Sequence, residues 1–188
     1  MNTSSPNSFD PNDDSRARYL DIDGDSMAEK NSKIKMSISF SDNLSEDASL
    51  ISYLAGYLEL ACEIQGIKSG QISLLITDDG EMSRLHEEHT GISGTTDILT
   101  FDLRDEPLDD GVVEVDIVLC LDEAVRQAAS REHPLCNELL LYAIHGLLHV
   151  QGYDDHCPDD YRVMHCREDE ILEQLGIGKL FDRQGKDK

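Results

Sequence analysis

HPLCNELLLYAIHGLLHVQGYDDH, residues 133–156, is the segment around which the rest of this chain must be organised. From Leu139 to Val150 the helical period is apolar on nearly every side, which predicts a helix buried in the core. Pro134 suits the first helical position, and Gly152 suits the left-handed residue that ends a helix. The pattern therefore predicts a buried helix over about residues 134–151, followed by a turn.

Two histidines interrupt this apolar helix. His145 and His149 are four residues apart, so they lie on one face of the helix. Neutral histidine is a preferred zinc ligand, and this spacing fits two adjacent corners of a tetrahedral site. The alternative is a pair of core histidines that bond to backbone or carboxylate groups. The turn that brings residues 154–156 back towards the same face favours the metal site.

The residue after the first histidine limits the chemistry. Zinc proteases carry H-E-x-x-H, in which the glutamate is the general base, and this chain has Gly146 there. The series His145, His149, Gly152 and His156 still resembles the metzincin ligand string, with one extra residue before the last histidine. A metal-dependent hydrolase of peptides or small esters is therefore an alternative that the missing glutamate disfavours.

The rest of the chain mixes strands and helices. The predicted strands are residues 34–40, 71–77, 97–101 and 112–119, and the further predicted helices are residues 45–64, 78–88, 121–132 and 158–175. Ser45 is the expected N-cap of the first helix, and Gly66 follows it as a stop signal. The fold class is therefore α/β or α+β, with one small four-stranded sheet packed by helices.

Length and local composition indicate one folded domain. The chain has 188 residues, and its first 33 are rich in Asn, Asp, Ser and Pro, which is typical of a disordered tail. We expect a single domain over residues 34–178 and a polar tail over residues 179–188. Residues 102–111, DLRDEPLDDG, are expected to form an acidic surface loop.

Net charge and cysteine use exclude several classes of protein. Lys and Arg number 16 against 39 Asp and Glu, a net charge of −23, so attraction of DNA by charge is not expected. No apolar run approaches the roughly 18 residues of a membrane span, and the acidic N-terminus is unlike a secretory signal. The five cysteines are odd in number and widely spaced, which favours a reducing compartment, the cytoplasm by default.

The segment HGLLHVQGYDDH strongly resembles the YbeY family signature H-G-x-L-H-x-x-G-Y-D-H. TDILTF, residues 96–101, resembles that family's T-D-V-L-S-F, and VDIVLC, residues 115–120, resembles its G-D-I-V-I-S strand. The resemblance covers about residues 34–176. The final helix matches the family's acidic C-terminal helix at Met164, Glu168 and Glu170.

This resemblance implies a bacterial metal-dependent endoribonuclease that acts on single-stranded RNA in ribosomal RNA maturation and ribosome quality control. It implies a small mixed sheet with about five helices, and one zinc held by three histidines. Carried over to this chain, the ligands are His145, His149 and His156. The resemblance leaves open whether water or the 2′-OH of the RNA attacks the phosphodiester.

Three positions depart from the family pattern. One extra residue in the turn puts Asp155 at the spacing of the third ligand. His156 is preferred because a turn absorbs one residue easily. Thr90, after His89, stands where the family has an arginine that would clamp phosphate. Val115 replaces a glycine and narrows the space for a backbone to approach. Possible substitutes for the missing arginine, with solvated surface charges as the alternative, are Arg84, Arg104 and Arg131.

Several further residues have two interpretations each. Asp97 either binds substrate or orients a ligand histidine, which makes it a weak catalytic candidate, or it caps a turn. Glu138 lies seven residues before His145 and either approaches the site or is a surface acid. A second His/Cys metal set fits no standard zinc spacing and is disfavoured. Its members would be His156, Cys157, His165 and Cys166.

The acidity of the chain supports a third functional hypothesis. An acidic loop could dock a basic ribosomal protein through charge complementarity. On this hypothesis the protein is a non-enzymatic assembly factor of the small ribosomal subunit, and its zinc is structural.

Overall fold

The computed structural model describes residues 33–104 and 111–180. The predicted N-terminal tail, apart from Lys33, lies outside those residues. So do residues 105–110 of the predicted acidic loop and residues 181–188 of the predicted C-terminal tail.

The described strands form one mixed sheet of four. They are β1 (Ile34–Phe40), β2 (Ser69–Thr77), β3 (Ile98–Asp102) and β4 (Val112–Cys120). The spatial order is β1-β2-β4-β3. β1, β2 and β4 run parallel, and β3 pairs antiparallel with β4 at one edge. The predicted fold class is confirmed.

The described residues form five helices, as predicted. They are α1 (Ala48–Gln65), α2 (Asp79–Thr90), α3 (Leu121–Arg131), α4 (Leu135–Val150) and α5 (Pro158–Gln174). One connection of the parallel sheet runs through α1, from β1 to β2. α2 leads from β2 to the antiparallel edge strand β3, so the chain then returns through β4 to the middle of the sheet.

Two predicted helix starts differ from the structure. The N-cap of α1 is Asp47, not Ser45, because the Asp47 carboxylate accepts hydrogen bonds from the backbone N–H groups two and three residues further on. Pro134 caps α4 from an extended conformation and precedes its first helical residue. Gly66 ends α1 in the left-handed region at φ +74°, as expected.

The main core lies between the sheet and α1, α4 and α5. It is built by alternate residues of β2 and β4 together with the inner faces of these helices, for example Ile72, Ile117, Leu58, Ile144 and Leu172. α4 is buried on nearly all sides, which confirms the interpretation of its apolar period. Val115 points into this core, so its side chain is a packing residue.

The chain remains packed just beyond the predicted domain end. Leu180 is buried, and its N–H donates to Asp169 Oδ1 at 3.0 Å. The boundary at residue 178 stays a prediction, although the core reaches two residues further. Within the described part of the chain, every helix is too short or too polar to cross a membrane.

Candidate metal centre

α4 presents His145 and His149 to each other across one helical turn. Their Nε2 atoms are 3.0 Å apart, and the ring planes cross at 88°. Two nitrogen ligands about 2.0–2.1 Å from a tetrahedral zinc lie roughly 3.3 Å apart. The two imidazoles are therefore already close to the separation that a shared ion requires.

The other nitrogen of each ring faces an acceptor. His145 Nδ1 lies 2.6 Å from Glu168 Oε1, and His149 Nδ1 lies 3.2 Å from the Tyr153 carbonyl oxygen. A carbonyl oxygen only accepts, and so does an ionised carboxylate, so each Nδ1 carries a proton. In the neutral rings both Nε2 atoms then carry lone pairs that point at each other, an arrangement that a cation between them stabilises.

The turn after α4 brings a carboxylate to this pair. Gly152 adopts φ +91°, and the Tyr153 N–H donates to the Leu148 carbonyl at 3.0 Å, which reverses the chain. Asp155 Oδ2 then lies 3.9 Å from His145 Nε2. Ligand atoms of His145, His149 and Asp155 all lie within 4.8 Å of one another.

The predicted third ligand, His156, lies outside that group. Its side chain is 86% exposed, and its Nδ1 is 3.4 Å from Asp154 Oδ1. The reason is local: the Asp154 carboxylate accepts the N–H groups of both Asp155 and His156, at 2.7 and 3.2 Å. This tight turn directs Asp155 inwards and His156 outwards. His156 belongs to a second, more exposed set of possible ligands with Asp154 and Asp155.

The electrostatics of the two histidines differ. Burial lowers the pKa of His149, and the charge of His145 lowers it further. Burial also acts to lower the pKa of His145, but the hydrogen bond and charge of Glu168 outweigh it, so that pKa is raised. Burial acts to raise the pKa of Glu168, but hydrogen bonds from His145 and His165 leave it below its ordinary value. The ionised Glu168 carboxylate thus faces the Nδ1 side of the His145 ring.

Gly146 shows why the helix carries no protease base. A Cβ at this position would lie 2.8 Å from Thr100 Oγ1 and 2.9 Å from Ile98 Cδ1. The residue after His145 therefore packs directly against side chains of β3, where a glutamate side chain has no room. The missing glutamate is a packing requirement of this fold, which further disfavours the peptide hydrolase.

A cavity of about 410 Å³ opens beside the histidines, along the edge strand β3. His149 and Thr100 line it together with Asp102. The side of β3 away from β4 has no strand partner among the described residues. An extended ligand that followed β3 would therefore reach His149.

The predicted substitutes for the family arginine are all engaged in ion pairs. Thr90 itself donates to the His86 carbonyl at 2.6 Å, within α2. The Arg104 side chain also donates to the Val150 carbonyl at 2.5 Å and thereby caps the C-terminus of α4. None of the three is thus an unengaged phosphate ligand in this structure. The pairs are Arg84 with Glu81 and Glu88, Arg104 with Asp102, and Arg131 with Glu138.

Two predicted acids have specific local partners. The Asp97 carboxylate accepts the Ile98 N–H at 2.9 Å and the Thr96 hydroxyl at 3.0 Å, which is a turn-capping role. Glu138 is fully buried, so neither expectation for it describes its place. It accepts from Arg131 at 2.9 Å, and its other oxygen lies 2.8 Å from His133 Nε2.

Glu168 is the site residue to which sequence reasoning assigned no role. It is 1% exposed and bonds to His145, 23 residues earlier. Its inner position was visible in the helical period, since it shares a stripe with Met164, Ile171 and Leu172. An acid within such an apolar stripe indicates a buried partner.

Comparison with known proteins gives a consistent result. The family described as Endoribonuclease YbeY matches residues 30–176. A protein named Endoribonuclease YbeY from Desulforamulus reducens is 31% identical over 144 residues, which cover 73% of this chain and 94% of the relative. One of the same name from Moorella thermoacetica is 34% identical over 137 residues, 68% of this chain and 88% of the relative.

The solution structure of TM1509 from Thermotoga maritima is similar in fold. The match has a TM-score of 0.50 and 21% identity, and it covers 82% of this chain and 96% of that protein. It supports the fold alone. Together with the match over residues 30–176, which includes both α4 histidines, these findings show that the chain belongs to the Endoribonuclease YbeY family.

Proposed function

We propose that this protein is a zinc-dependent endoribonuclease that cuts single-stranded RNA during ribosomal RNA maturation and ribosome quality control. One observation carries the metal dependence: acceptors at both Nδ1 atoms turn the Nε2 atoms of His145 and His149 towards each other at 3.0 Å. The family supports the nuclease class. The five cysteines are free, which agrees with a cytoplasmic location.

For the third ligand we propose Asp155. Two imidazole nitrogens and one carboxylate oxygen form a donor set that zinc accepts, with a fourth position left for water or substrate. Asp155 is in reach with the turn as it stands, at 3.9 Å from His145 Nε2. His156 is the alternative ligand. To serve, it would have to break the two hydrogen bonds that hold the Asp154 turn.

A bound zinc would act as a Lewis acid towards a phosphoryl oxygen and lower the barrier to attack on phosphorus. The cavity along β3 would position the RNA strand, with His149 at its wall. A bound zinc would supply a cation to the scissile phosphate, whereas each of the six described arginines already lies within ion-pair distance of a carboxylate.

The test combines zinc content with cleavage of a single-stranded RNA. Wild-type protein is expected to hold about one zinc per chain and to cleave. His149→Ala and Asp155→Ala are expected to lose both properties, whereas His156→Ala serves as the matched control and keeps both. Zinc loss in His156→Ala with retention in Asp155→Ala would reverse the ligand assignment. Zinc-loaded wild type that cleaves no more RNA than His149→Ala would refute the nuclease.

A second candidate function rests on charge. The net charge of −23 and the paired arginines favour a basic protein partner over naked RNA. On this alternative the protein is an assembly factor that binds the small ribosomal subunit, and its zinc is structural. It predicts that His149→Ala protein still co-sediments with small subunits. Absence of any co-sedimentation, for wild type as well, would exclude it.

A further inference from the structure

A histidine–carboxylate–histidine chain lies behind the proposed zinc site. Glu168 Oε1 is 2.6 Å from His145 Nδ1, and Glu168 Oε2 is 2.5 Å from His165 Nδ1. Glu168 is 1% exposed, and both imidazole side chains are about seven-eighths buried, at 15% and 14% exposed. Both oxygens of one buried carboxylate are thus engaged by ring nitrogens.

Burial of a carboxylate such as that of Glu168 is unfavourable in free energy unless the carboxylate has partners. An unpaired carboxylate in an apolar setting destabilises the fold or takes up a proton. Glu168 nevertheless lies on the inner stripe of α5, beside Met164 and Ile171. Its placement is compensated by His145 on α4 and by His165 on its own helix.

We propose that Glu168 is a positioning residue of the zinc site and that His165 holds Glu168 in place. With one oxygen bound to each ring, the carboxylate cannot rotate away from His145. The proton of His145 is therefore kept on Nδ1, and the Nε2 lone pair stays directed at the shared ligand position. This inference rests on the proposed function, because it concerns how that site holds zinc.

A purely structural role for the same contact has different consequences. If the pair only joins α5 to α4, its loss lowers the stability of the fold and leaves the zinc affinity of the folded protein unchanged. If Glu168 positions His145, its loss weakens zinc binding in protein that is still folded. Zinc affinity and the tautomer of His145 therefore distinguish the two roles.

The variant Glu168→Gln removes one acceptor and the charge while it keeps the size of the side chain. A glutamine replaces one of the two acceptor oxygens by an NH2 donor, so one of the two rings loses the acceptor that it has in wild type. Asp169→Asn is the matched control, because Asp169 is also buried on α5, at 3% exposed, but its Oδ1 accepts the Leu180 N–H. His165→Phe keeps a ring and removes the second bond to Glu168.

The experiment is a zinc titration of each purified protein in competition with a chromophoric chelator. Glu168→Gln is expected to bind zinc about 10- to 100-fold more weakly, which is the usual effect of losing a partner that orients a ligand. His165→Phe should lose less, about threefold, and Asp169→Asn should stay within about twofold of wild type.

Nitrogen NMR of the zinc-free protein at alkaline pH provides the second readout. The His145 ring is expected to carry its proton on Nδ1 in wild type and to be a mixture of tautomers in Glu168→Gln. Equal zinc affinity in wild type and Glu168→Gln would overturn the inference and leave the proposed function intact. Failure of wild type to bind zinc would remove both. Should Glu168→Gln not fold, wild-type zinc affinity in His165→Phe would overturn the proposal.

Discussion

The two ends of α4 bury polar side chains in opposite ways. At the amino end, Glu138 is enclosed with Arg131 and lies 2.8 Å from His133 Nε2. At the carboxyl end, His145 and His149 direct two ring nitrogens at each other from 3.0 Å. The amino-end cluster contains the counter-charge of Glu138 in Arg131, and the carboxyl-end pair leaves a position where ring nitrogens converge.

This difference separates a structural cluster from a candidate metal site on the same helix. Burial alone does not distinguish them, because Glu138 is more deeply buried than either histidine of the metal centre. The useful criterion is whether the lone pairs of the buried groups face donors and cations or face one another. At the carboxyl end, two ring nitrogens face each other in an arrangement that a bound cation would stabilise.

The largest expected effect on stability is at the amino end. Glu138→Gln leaves the Arg131 side chain, which is only 20% exposed, without its counter-charge, and this should lower the free energy of unfolding by about 3 kcal/mol. Zinc content per folded chain should not change. Urea denaturation and elemental analysis measure the two quantities. Glu170→Gln, at an exposed acid of α5 (61% exposed), is the control and should change stability by less than about 1 kcal/mol.

Zinc itself should stabilise the carboxyl end by a comparable amount. At free zinc about a hundred times its dissociation constant, the wild-type free energy of unfolding should rise by about 2.7 kcal/mol. Glu138→Gln should show the same increment, and His149→Ala should show none. Thermal unfolding with zinc and with a chelator measures the increment. An equal increment in His149→Ala would show that the ion binds elsewhere.

Gly146 lies between the two histidines, and we expect its replacement by a residue with a Cβ to lower the stability of the fold. Alanine there gains helix propensity worth about 1 kcal/mol but forces a Cβ within 2.8 Å of Thr100 Oγ1, and overpacking costs about 1–3 kcal/mol. We expect a net loss of about 1 kcal/mol in urea denaturation. Gly56→Ala in α1 is the matched control, because its Cβ would have nothing within 4 Å. It should stabilise. Stabilisation by both substitutions would contradict the close contact of α4 with β3.

Periodicity and spacing were enough to predict the elements and the histidine pair. The apolar period of α4 and the interval between His145 and His149 are local properties, and local patterns predict helix and face well. The carboxylate beside this pair was harder to predict, because the direction of Asp155 depends on hydrogen bonds that the Asp154 side chain makes in the turn. Counting residues cannot show those bonds.

Contacts between residues that are far apart in the sequence were the other limit of prediction from sequence. Glu138 meets Arg131 only because α3 ends beside the start of α4, and Glu168 meets His145 only because α5 packs on α4. Both acids stand at inward positions of their helices, so the sequence contained a sign of burial. It contained no sign of which cation each acid would meet, since that depends on how the helices pack.

Loss of an exposed ion pair should have the smallest effect on stability. It tests whether burial is what makes the Glu138–Arg131 pair strong. Asp79 and Arg126 join α2 to α3 at 2.7 Å, with side chains 41% and 47% exposed. Hydrogen bonds from Arg126 lower the pKa of Asp79 to about 2. Because the folded pKa is below the ordinary value, the stabilisation is complete above about pH 4 and is lost as pH falls towards about 2.

Asp79→Asn should therefore lower the urea midpoint at neutral pH by less than Gly146→Ala does, since exposed pairs are screened by solvent. The difference from wild type should shrink when both proteins are measured near about pH 3. A difference that stays constant with pH would assign the effect to the shape of the side chain and not to its charge. A loss as large as that of Glu138→Gln would mean that charge pairing, and not burial, makes the amino end of α4 strong.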